Sequence, residues 1–339
     1  MEEKQNLTKK DFVVDGPVKW CAGCGAYSIL AAVQSALPET GKNIEDIVFV
    51  SGIGCSSRFP YYINTYGFHG LHGRAAAIAS GIKVANPKLS VWQITGDGDA
   101  MAIGGNHFIH LLRRNIDINV LLFNNKIYGL TKGQYSPTTP KGSVTKTSPH
   151  GTIENPFNPG ELAMGAQGTF FARVLDKEPK MMKRVFIQAE KHKGTSMVEI
   201  LQNCVIFNNK VHELVAGKDV RDDRTIYVEH ENPLLFGKEK EKGLIIDKGK
   251  LKVVKIGENG ITKDDILVHD AKNPDPNMHY MLSRMTYPDF PIAVGIIRCV
   301  DEGDTYENLL EKQIKEEKEN NKVHNMTDLL NSGNVFNIE

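Results

Sequence analysis

The chain has 339 residues, of which 40% are hydrophobic, so it is long enough to bury a large core. Its 41 basic and 41 acidic side chains give a formal net charge of zero, which favours neither nucleic acid nor a membrane surface as a partner. No apolar run approaches the roughly 20 residues of a membrane span, and residues 1–12 lack the pattern of an export signal. We therefore expect a cytoplasmic protein whose partners are proteins and small molecules.

Helices and strands alternate in the predicted order along the first two thirds of the chain. The predicted helices cover 26–37, 74–85, 104–114 and 179–193, and the predicted strands cover 47–50, 90–94, 118–123 and 197–201. This alternation indicates an α/β fold, a mostly parallel sheet with helices on both faces. Ligands of such folds bind where strands end and loops begin. The segment 135–159 is rich in Pro, Gly, Ser and Thr and predicts a long ordered loop over such a site.

The alternation weakens after Asn208, where charged residues mix with short apolar runs. We therefore predict a main domain over 13–208 and a smaller C-terminal region over 209–339. Within that region, 306–321 is highly charged with few apolar residues, which is typical of a solvated helix or of a tail that docks a partner.

A Gly-Asp-Gly-Asp sequence, Gly96 to Asp99, follows the second predicted strand, and Asn124-Asn125 follows the third. The Asp97 carboxylate, the Asn125 amide oxygen and the Ile127 carbonyl are oxygens of the kind that Mg²⁺ takes beside phosphate. Glycine lets the backbone approach a diphosphate, and the helix that follows directs its amide end at the anion. The alternative is a simple turn with asparagines that cap the next helix.

Four of the five cysteines lie beside predicted elements of the sheet. Cys21 and Cys24 precede the first helix, Cys55 follows the first strand and Cys204 follows the last predicted strand. In a reducing compartment they indicate metal binding or catalysis rather than disulfides, and four thiolates are the usual ligands of a [4Fe–4S] cluster. A structural zinc site, which would be expected to show a second Cys-x-x-Cys pair, and a redox-active pair are the alternatives. Cys299 is predicted to be a buried apolar residue.

Five short motifs occur in a fixed order: Cys-x-Gly-Cys-Gly, Gly-Ile-Gly-Cys-Ser-Ser, His-Gly-Arg, Gly-Asp-Gly-Asp and Gln-x-Ser-Pro-Thr-Thr. In this order they resemble the beta subunit of 2-oxoacid:ferredoxin oxidoreductases, and in particular of the 2-oxoglutarate type. The resemblance is close from Val18 to about Asn208 and looser beyond, where this chain carries a longer extension than the shorter members. It implies a thiamine-diphosphate-binding fold.

The resemblance also implies a set of metal ligands. Mg²⁺ would be held by Asp97, Asn125 and the carbonyl of Ile127. The [4Fe–4S] cluster would be held by Cys21, Cys24, Cys55 and Cys204. The implied cofactors are thus thiamine diphosphate, Mg²⁺ and the cluster.

The implied activity is oxidative decarboxylation of a 2-oxoacid with coenzyme A. Its products are CO₂ and an acyl-CoA, which is succinyl-CoA when the substrate is 2-oxoglutarate, and the electrons pass through the cluster to ferredoxin. Thiamine activation needs a glutamate at the aminopyrimidine ring, and the sequence shows no motif for it. In split members of the family the alpha subunit supplies that half. We therefore expect a heterodimer or a dimer of heterodimers, and no activity from this chain alone.

We expect the cofactor-binding residues at the strand ends: Ile53, Gly54, Cys55, Ser56, His72, Gly96, Asp97, Gly98, Asp99, Asn125, Ile127, Gly129, Leu130 and Thr131. Arg58 and Lys132 are catalytic candidates, because either could pair with a distal carboxylate of the substrate, and the alternative is a solvated surface charge. His72, the third catalytic candidate, is predicted to line the cofactor pocket or to cap the following helix. The remaining candidates for the pocket, the substrate or a lid are His69, Arg74, Gln134, Ser136, Thr138 and Thr139.

Three other functions stay open at this point. The same subunit could act on pyruvate or on a branched-chain 2-oxoacid, although a carboxylate-binding Arg58 favours 2-oxoglutarate. From another class, the chain could be a non-catalytic iron–sulfur electron-transfer protein, which has no reason to bind thiamine diphosphate. A zinc-stabilised scaffold is a third alternative. Bound iron would exclude the scaffold, and bound zinc would exclude the iron–sulfur protein.

Overall fold

The computed structural model of this protein describes residues 6–301, 303–320, 323–336 and 338. The strands are β1 Ile47–Ser51, β2 Tyr66–His69, β3 Ser90–Gly96, β4 Asn119–Asn124, β5 Phe170–Leu175, β6 Ser196–Leu201, β7 Thr225–Val228, β8 Leu235–Phe236, β9 Lys242–Asp247, β10 Lys250–Lys255 and β11 Ile292–Cys299. The α-helices are α1 Ala26–Ala36, α2 Ala75–Ala85, α3 Asp97–Met101, α4 Gly105–Arg114, α5 Pro159–Gly165, α6 Pro179–Lys191, α7 Glu213–Ala216, α8 Arg221–Arg224, α9 Asn277–Arg284, α10 Tyr306–Asn320 and α11 Met326–Leu330.

Eight strands form the main sheet in the order β2-β1-β3-β4-β6-β5-β11-β7. Six of its seven neighbouring pairs are parallel, and β11 with β5 is the antiparallel pair. The chain leaves β1 for β2 on one side and then crosses to β3 on the other, so the strand order reverses beside β1. In open α/β sheets ligands bind at such a reversal, outside the carboxyl ends of the strands.

Helices cover both faces of this sheet because its central strands are apolar on both faces. Along β4, Val120 and Leu122 pack into one core with α2 and α4, whereas Leu121 and Phe123 pack into a second core with α1 and α6. Strands buried on both faces read as continuous apolar runs rather than as alternating ones. The predicted fold class, a mostly parallel sheet with helices on both faces, is confirmed.

The C-terminal region contributes to the main sheet and also forms a smaller sheet of its own. β7 and β11 complete the main sheet, and β8, β9 and β10 form a three-stranded antiparallel sheet. Strands from both sides of residue 208 therefore share one sheet, and the division proposed there stays a prediction. The charged tail predicted over 306–321 contains α10, whose residues are mostly exposed, and Asn321 itself lies outside the described residues.

Cys299, expected to be buried, is half-buried at the end of β11. Across the described residues, none of the helices combines the length and apolar character needed to cross a membrane.

Candidate active site

The carboxyl ends of β1, β3, β4 and β6 meet at one edge of the main sheet, and two cavities open there. The first, which we call the aspartate cavity, has a volume of about 380 Å³. All fourteen predicted cofactor-binding residues lie on its wall, together with Tyr128, Gln134 and Tyr135. The second, the cysteine cavity, has a volume of about 240 Å³ and is lined by Cys21, Cys24, Cys55 and Cys204.

Asp99 organises the wall of the aspartate cavity from within the protein. Its Oδ1 accepts hydrogen bonds from the backbone N–H groups of Ile53 (3.0 Å) and Gly73 (2.7 Å), and Nδ1 of His72 lies 2.7 Å from the same oxygen. Its Oδ2 accepts from the hydroxyl of Thr95 at 2.8 Å. Asp99 is 2% exposed. The structure therefore gives this carboxylate a positioning role, because it ties the segments after β1 and β2 to the end of β3.

Asp97 is the second buried carboxylate of this cavity. Its Oδ2 accepts hydrogen bonds from the hydroxyls of Ser136 (2.5 Å) and Thr138 (2.6 Å). Burial raises the pKa of the Asp97 carboxyl, and these neutral donors oppose the rise. A cation beside Asp97 would stabilise its negative charge further, so the site suits a metal ion.

The hydroxyls predicted as substrate or lid residues anchor the loop after β4. Ser136 and Thr138 donate to Asp97, Oγ1 of Thr138 also lies 3.0 Å from Oδ1 of Asn124, and Thr139 donates to the carbonyl of Lys126 at 2.7 Å. All three hydroxyl residues are buried. The structure thus holds this loop against the ends of β3 and β4, while Gln134 and Tyr135 line the cavity.

Glycines bring the backbone close to polar and aromatic groups around the aspartate cavity. A Cβ on Gly98 would lie 2.3 Å from Cε1 of Tyr128, whose hydroxyl donates to the Gly98 carbonyl at 3.0 Å. A Cβ on Gly52 would lie 2.1 Å from Oδ2 of Asp99. Gly54 has φ +137°, which favours glycine. Burial, followed by the charges of Asp97 and Asp99, raises the pKa of the Tyr128 phenol to about 12, so it stays a donor.

The four thiols of the cysteine cavity come from three separate segments of the chain. Cys21 is exposed, whereas Cys24, Cys55 and Cys204 are half-buried. Burial, followed by the neighbouring thiols, raises the pKa of Cys24 and raises that of Cys55 to about 11. The thiolate form is therefore disfavoured unless a cation is present, and thiolates are the form that binds metals. Among the described residues, no group of three or more His, Cys, Asp or Glu is arranged to hold a single metal ion.

The two cavities share a wall. Cys55, Asn125, Gly129 and Leu130 line both of them. A Cβ on Gly129 would lie 3.6 Å from Sγ of Cys55 and 3.6 Å from Sγ of Cys204. These are ordinary van der Waals distances, so the Gly129 backbone lies directly beside both sulfurs on the wall that the two cavities share.

The three catalytic candidates divide between the cavities. His72 lies on the aspartate cavity with its Nδ1 on Asp99, and because a carboxylate accepts, the neutral ring carries its proton on Nδ1. Arg58 and Lys132 line the cysteine cavity instead, where the Arg58 guanidinium also lies 6.0 Å from the centre of the Tyr62 ring. Of the other candidates, His69 bonds to the Ser57 carbonyl and Arg74 bonds to the carbonyls of Gly73 and Ile103.

Sequence reasoning gave no role to Tyr128 or Gln202, and it named Asn124 only as part of the paired asparagines, without its contacts. Asn124 donates to Glu199 at 2.7 Å, and Glu199 in turn pairs with Arg173 at 2.7 Å. Gln202 contacts Asn125 at 3.1 Å and Cys24 at 3.3 Å. Tyr128 could have been found as the aromatic residue that follows Asn-Asn-Lys-Ile, but the contacts of Asn124 and Gln202 depend on strand neighbours far away in the sequence.

Comparison with known proteins gives a consistent result. The family model "Thiamine pyrophosphate enzyme, C-terminal TPP binding domain" matches residues 52–200. The 2-oxoglutarate oxidoreductase subunit KorB of Mycobacterium tuberculosis is 49% identical over 306 residues, which cover 90% of this chain and 81% of the relative. The 2-oxoglutarate synthase subunit KorB of Archaeoglobus fulgidus is 46% identical over 188 residues, which cover 56% of this chain and 70% of the relative.

A solved structure extends the likeness over nearly the whole chain. It is the 2-oxoglutarate:ferredoxin oxidoreductase from Magnetococcus marinus with 2-oxoglutarate, coenzyme A and succinyl-CoA bound. The TM-score is 0.78 at 30% sequence identity, and the match covers 98% of each chain.

Proposed function

This chain belongs to the family of 2-oxoacid:ferredoxin oxidoreductase beta subunits, and on that premise we propose that its enzyme converts 2-oxoglutarate and coenzyme A to succinyl-CoA and CO₂. The observation that carries the proposal is the shared wall between the aspartate cavity and the cysteine cavity. It is supported by the names of the relatives and by the ligands of the solved structure, which include 2-oxoglutarate and succinyl-CoA. An alpha subunit is the required partner.

We infer that the aspartate cavity receives Mg²⁺ and the diphosphate of thiamine diphosphate. Asp97, Asn125 and the carbonyl of Ile127 would hold the cation, since all three residues line this cavity and are oxygen donors that Mg²⁺ accepts. When bound, thiamine diphosphate supplies an electron sink for the loss of CO₂ from a 2-oxoacid. Asp99 keeps the segments after β1 and β2 in place around the cavity. It also orients His72 by bonding to Nδ1, so Nε2 is the ring nitrogen available to a cofactor bound in the cavity.

The cysteine cavity is the proposed site of a [4Fe–4S] cluster held by Cys21, Cys24, Cys55 and Cys204. A cluster accepts single electrons, and its usual protein ligands are four thiolates. Burial raises the pKa of Cys55 to about 11, so this thiol would lose its proton only on binding a cation such as iron. Ferredoxin is the proposed electron acceptor.

Arg58 and Lys132 are the proposed partners of the distal carboxylate of the substrate. Both line the cysteine cavity, and each follows a residue of the shared wall by three positions: Arg58 follows Cys55 and Lys132 follows Gly129. Arg58 is half-buried and Lys132 is exposed. A bidentate guanidinium suits a carboxylate, so the choice of 2-oxoglutarate over pyruvate or a branched-chain 2-oxoacid would depend on this pair.

The test is to co-express the chain with its alpha subunit, purify the complex without oxygen, and measure coenzyme-A-dependent reduction of a viologen dye. Faster reduction with 2-oxoglutarate than with pyruvate is the expected result. A preference for pyruvate would overturn the substrate and keep the family activity. A complex that carries cluster and thiamine diphosphate but reduces no dye with any 2-oxoacid would point to an electron-transfer protein.

A further inference from the structure

Gln202 directly follows β6 and lines the cysteine cavity. Its side chain is buried, with 2% exposure. At one end of the amide, Oε1 accepts a hydrogen bond from Nδ2 of Asn125 at 3.1 Å. At the other end, Nε2 donates to Sγ of Cys24 at 3.3 Å. A single amide therefore contacts one residue from each of the two proposed cofactor sites.

The contact with Asn125 determines which way that amide faces. Because Nδ2 of Asn125 is directed at Gln202, its Oδ1 lies on the other side of the amide, where it also accepts from the backbone N–H of Ile127 at 3.2 Å. An amide oxygen can bind Mg²⁺, whereas an amide nitrogen is a donor and cannot. Gln202 is itself fixed, since its backbone N–H donates to the carbonyl of Asn124 at 3.0 Å.

The contact with Cys24 places a hydrogen-bond donor on a proposed cluster sulfur. Negative charge on that sulfur grows when a cluster is reduced, so an N–H donor stabilises the reduced form more than the oxidised form. Hydrogen bonds to the sulfurs are one of the means by which proteins set the potential of a cluster.

We propose that Gln202 is a positioning residue shared by the two sites, which orients the Asn125 oxygen toward the magnesium ion and raises the potential of the cluster through Cys24. The inference rests on the proposed function, because it requires that both groups bind where we assign them. It assigns a specific role to a side chain that lines the cysteine cavity but not the aspartate cavity.

Two substitutions separate the two contacts. Gln202→Met is close in size and removes both hydrogen bonds. Gln202→Glu keeps an oxygen that can accept from Asn125 and, when ionised, cannot donate to Cys24. Gln188, which is exposed on α6, gives the matched controls Gln188→Met and Gln188→Glu.

The measurements use the anaerobic complex with the alpha subunit at pH 8.5. The reduction equilibrium of the cluster is followed by electron paramagnetic resonance in a redox titration, and binding of thiamine diphosphate at limiting Mg²⁺ is followed by calorimetry. For Gln202→Met we expect the reduction constant to fall by about twofold to tenfold, where tenfold is about 59 mV for a one-electron couple, and the cofactor to bind about tenfold more weakly. For Gln202→Glu we expect the same fall in the reduction potential of the cluster. The affinity for thiamine diphosphate should stay within about twofold of that of the unmodified complex.

An unchanged potential and an unchanged magnesium dependence in Gln202→Met, with iron content intact, would overturn the inference and leave the proposed function standing. Equal loss of cofactor affinity in Gln202→Glu and Gln202→Met would overturn the part that concerns Asn125. An unmodified complex without iron or without bound thiamine diphosphate would overturn the proposed function itself, and this inference with it.

Discussion

The two edges of the main sheet both carry buried and half-buried polar side chains, but these make different contacts. At the carboxyl edge, Asp97 and Asn125 line a cavity. At the amino edge, the Thr169 hydroxyl and the Thr195 N–H both donate to the side chain of Asn115. A buried polar residue therefore does not mark a functional site by itself, and the cavity beside it is what distinguishes the two edges. Substitutions at the carboxyl edge should change activity, and those at the amino edge should change stability alone.

The largest expected effect is at the cysteine cavity. Changing Cys55 to Ser should remove one proposed cluster ligand, and the coenzyme-A-dependent reduction of ferredoxin should fall by more than about 100-fold, since even residues that only support metal ligands are worth about 10- to 100-fold. Iron content and turnover of the complex with the alpha subunit are the measurements. Cys299→Ser is the matched control, because Cys299 lies on β11 away from the cavity and should leave both unchanged.

The second effect is at Asp99. Replacement by Ala removes the acceptor for the Ile53 and Gly73 N–H groups, for His72 and for Thr95. Buried donors left without partners cost about 1 to 3 kcal/mol each, so we expect a loss of about 3 kcal/mol or more in the free energy of unfolding, together with weaker cofactor binding. Asp99→Asn keeps one oxygen and should lose less. Equal stability of Asp99→Ala and the unmodified chain in chemical unfolding would show that the carboxylate does not organise this wall.

The third effect tests the amino edge. Asn115 ends α4 with φ +49°, and its Oδ1 accepts hydrogen bonds from the Thr169 hydroxyl (2.8 Å) and the Thr195 N–H (3.0 Å). Asn115→Ala should cost about 2 kcal/mol, about 1 for each lost hydrogen bond. Asn115→Asp keeps the acceptor and should recover most of this. The Michaelis constant for 2-oxoglutarate should not move in either variant, and a change there would contradict the distinction between the edges.

The smallest effect concerns pH. His192 is buried, and desolvation lowers its pKa to about 4. The Thr169 hydroxyl donates to Asn115, so it accepts from the His192 Nε2–H. Because desolvation lowers the pKa, the folded protein holds a neutral ring near neutral pH. Below its ordinary pKa of about 6.5 the unfolded chain binds a proton that the folded protein does not, so stability is present above about pH 6.5 and falls as the pH drops toward 4.

Between pH 7 and 5.5 this histidine should account for about 1 kcal/mol of lost stability. The side chain in His192→Gln does not titrate. Between pH 7 and 5.5 this variant should therefore lose about 1 kcal/mol less stability than the unmodified chain does. Chemical unfolding at the two pH values is the measurement. An identical pH dependence in the two proteins would show that His192 is not the titrating group.

Much of the fold could be predicted because the central strands are apolar runs, as in β4. β5 escaped prediction because Arg173 interrupts it, and this charge is tolerated only because Glu199 on β6 pairs with it at 2.7 Å. β2 escaped because its side chains are exposed or half-buried and give neither an apolar run nor an alternation. Only the first reason is a contact between distant parts of the sequence; the second is the exposure of β2 itself.

The part of the candidate site that could be predicted is the part that depends on short motifs of neighbouring residues. The Gly-Asp-Gly-Asp sequence and the paired asparagines bring Asp97 and Asn125 to one cavity, as expected. The motif could not show that Asp99 bonds to the protein or that Gln202 connects Asn125 with Cys24, since these contacts form only when the ends of β1, β3, β4 and β6 meet.

The position of β11 has a consequence for how the protein is made. β5 pairs on one side with β6 and on the other with β11, which is the last strand of the main sheet along the chain. Residues 176–291 must be synthesised before β11 emerges, and at about 5 to 20 residues per second this takes roughly 6 to 23 seconds. Throughout that interval the nascent chain exposes the edge of β5, and an unpaired strand edge is where other chains attach. The period of risk therefore spans the synthesis of residues 176–291, and most of it follows the synthesis of Phe207, the last residue that lines either cavity.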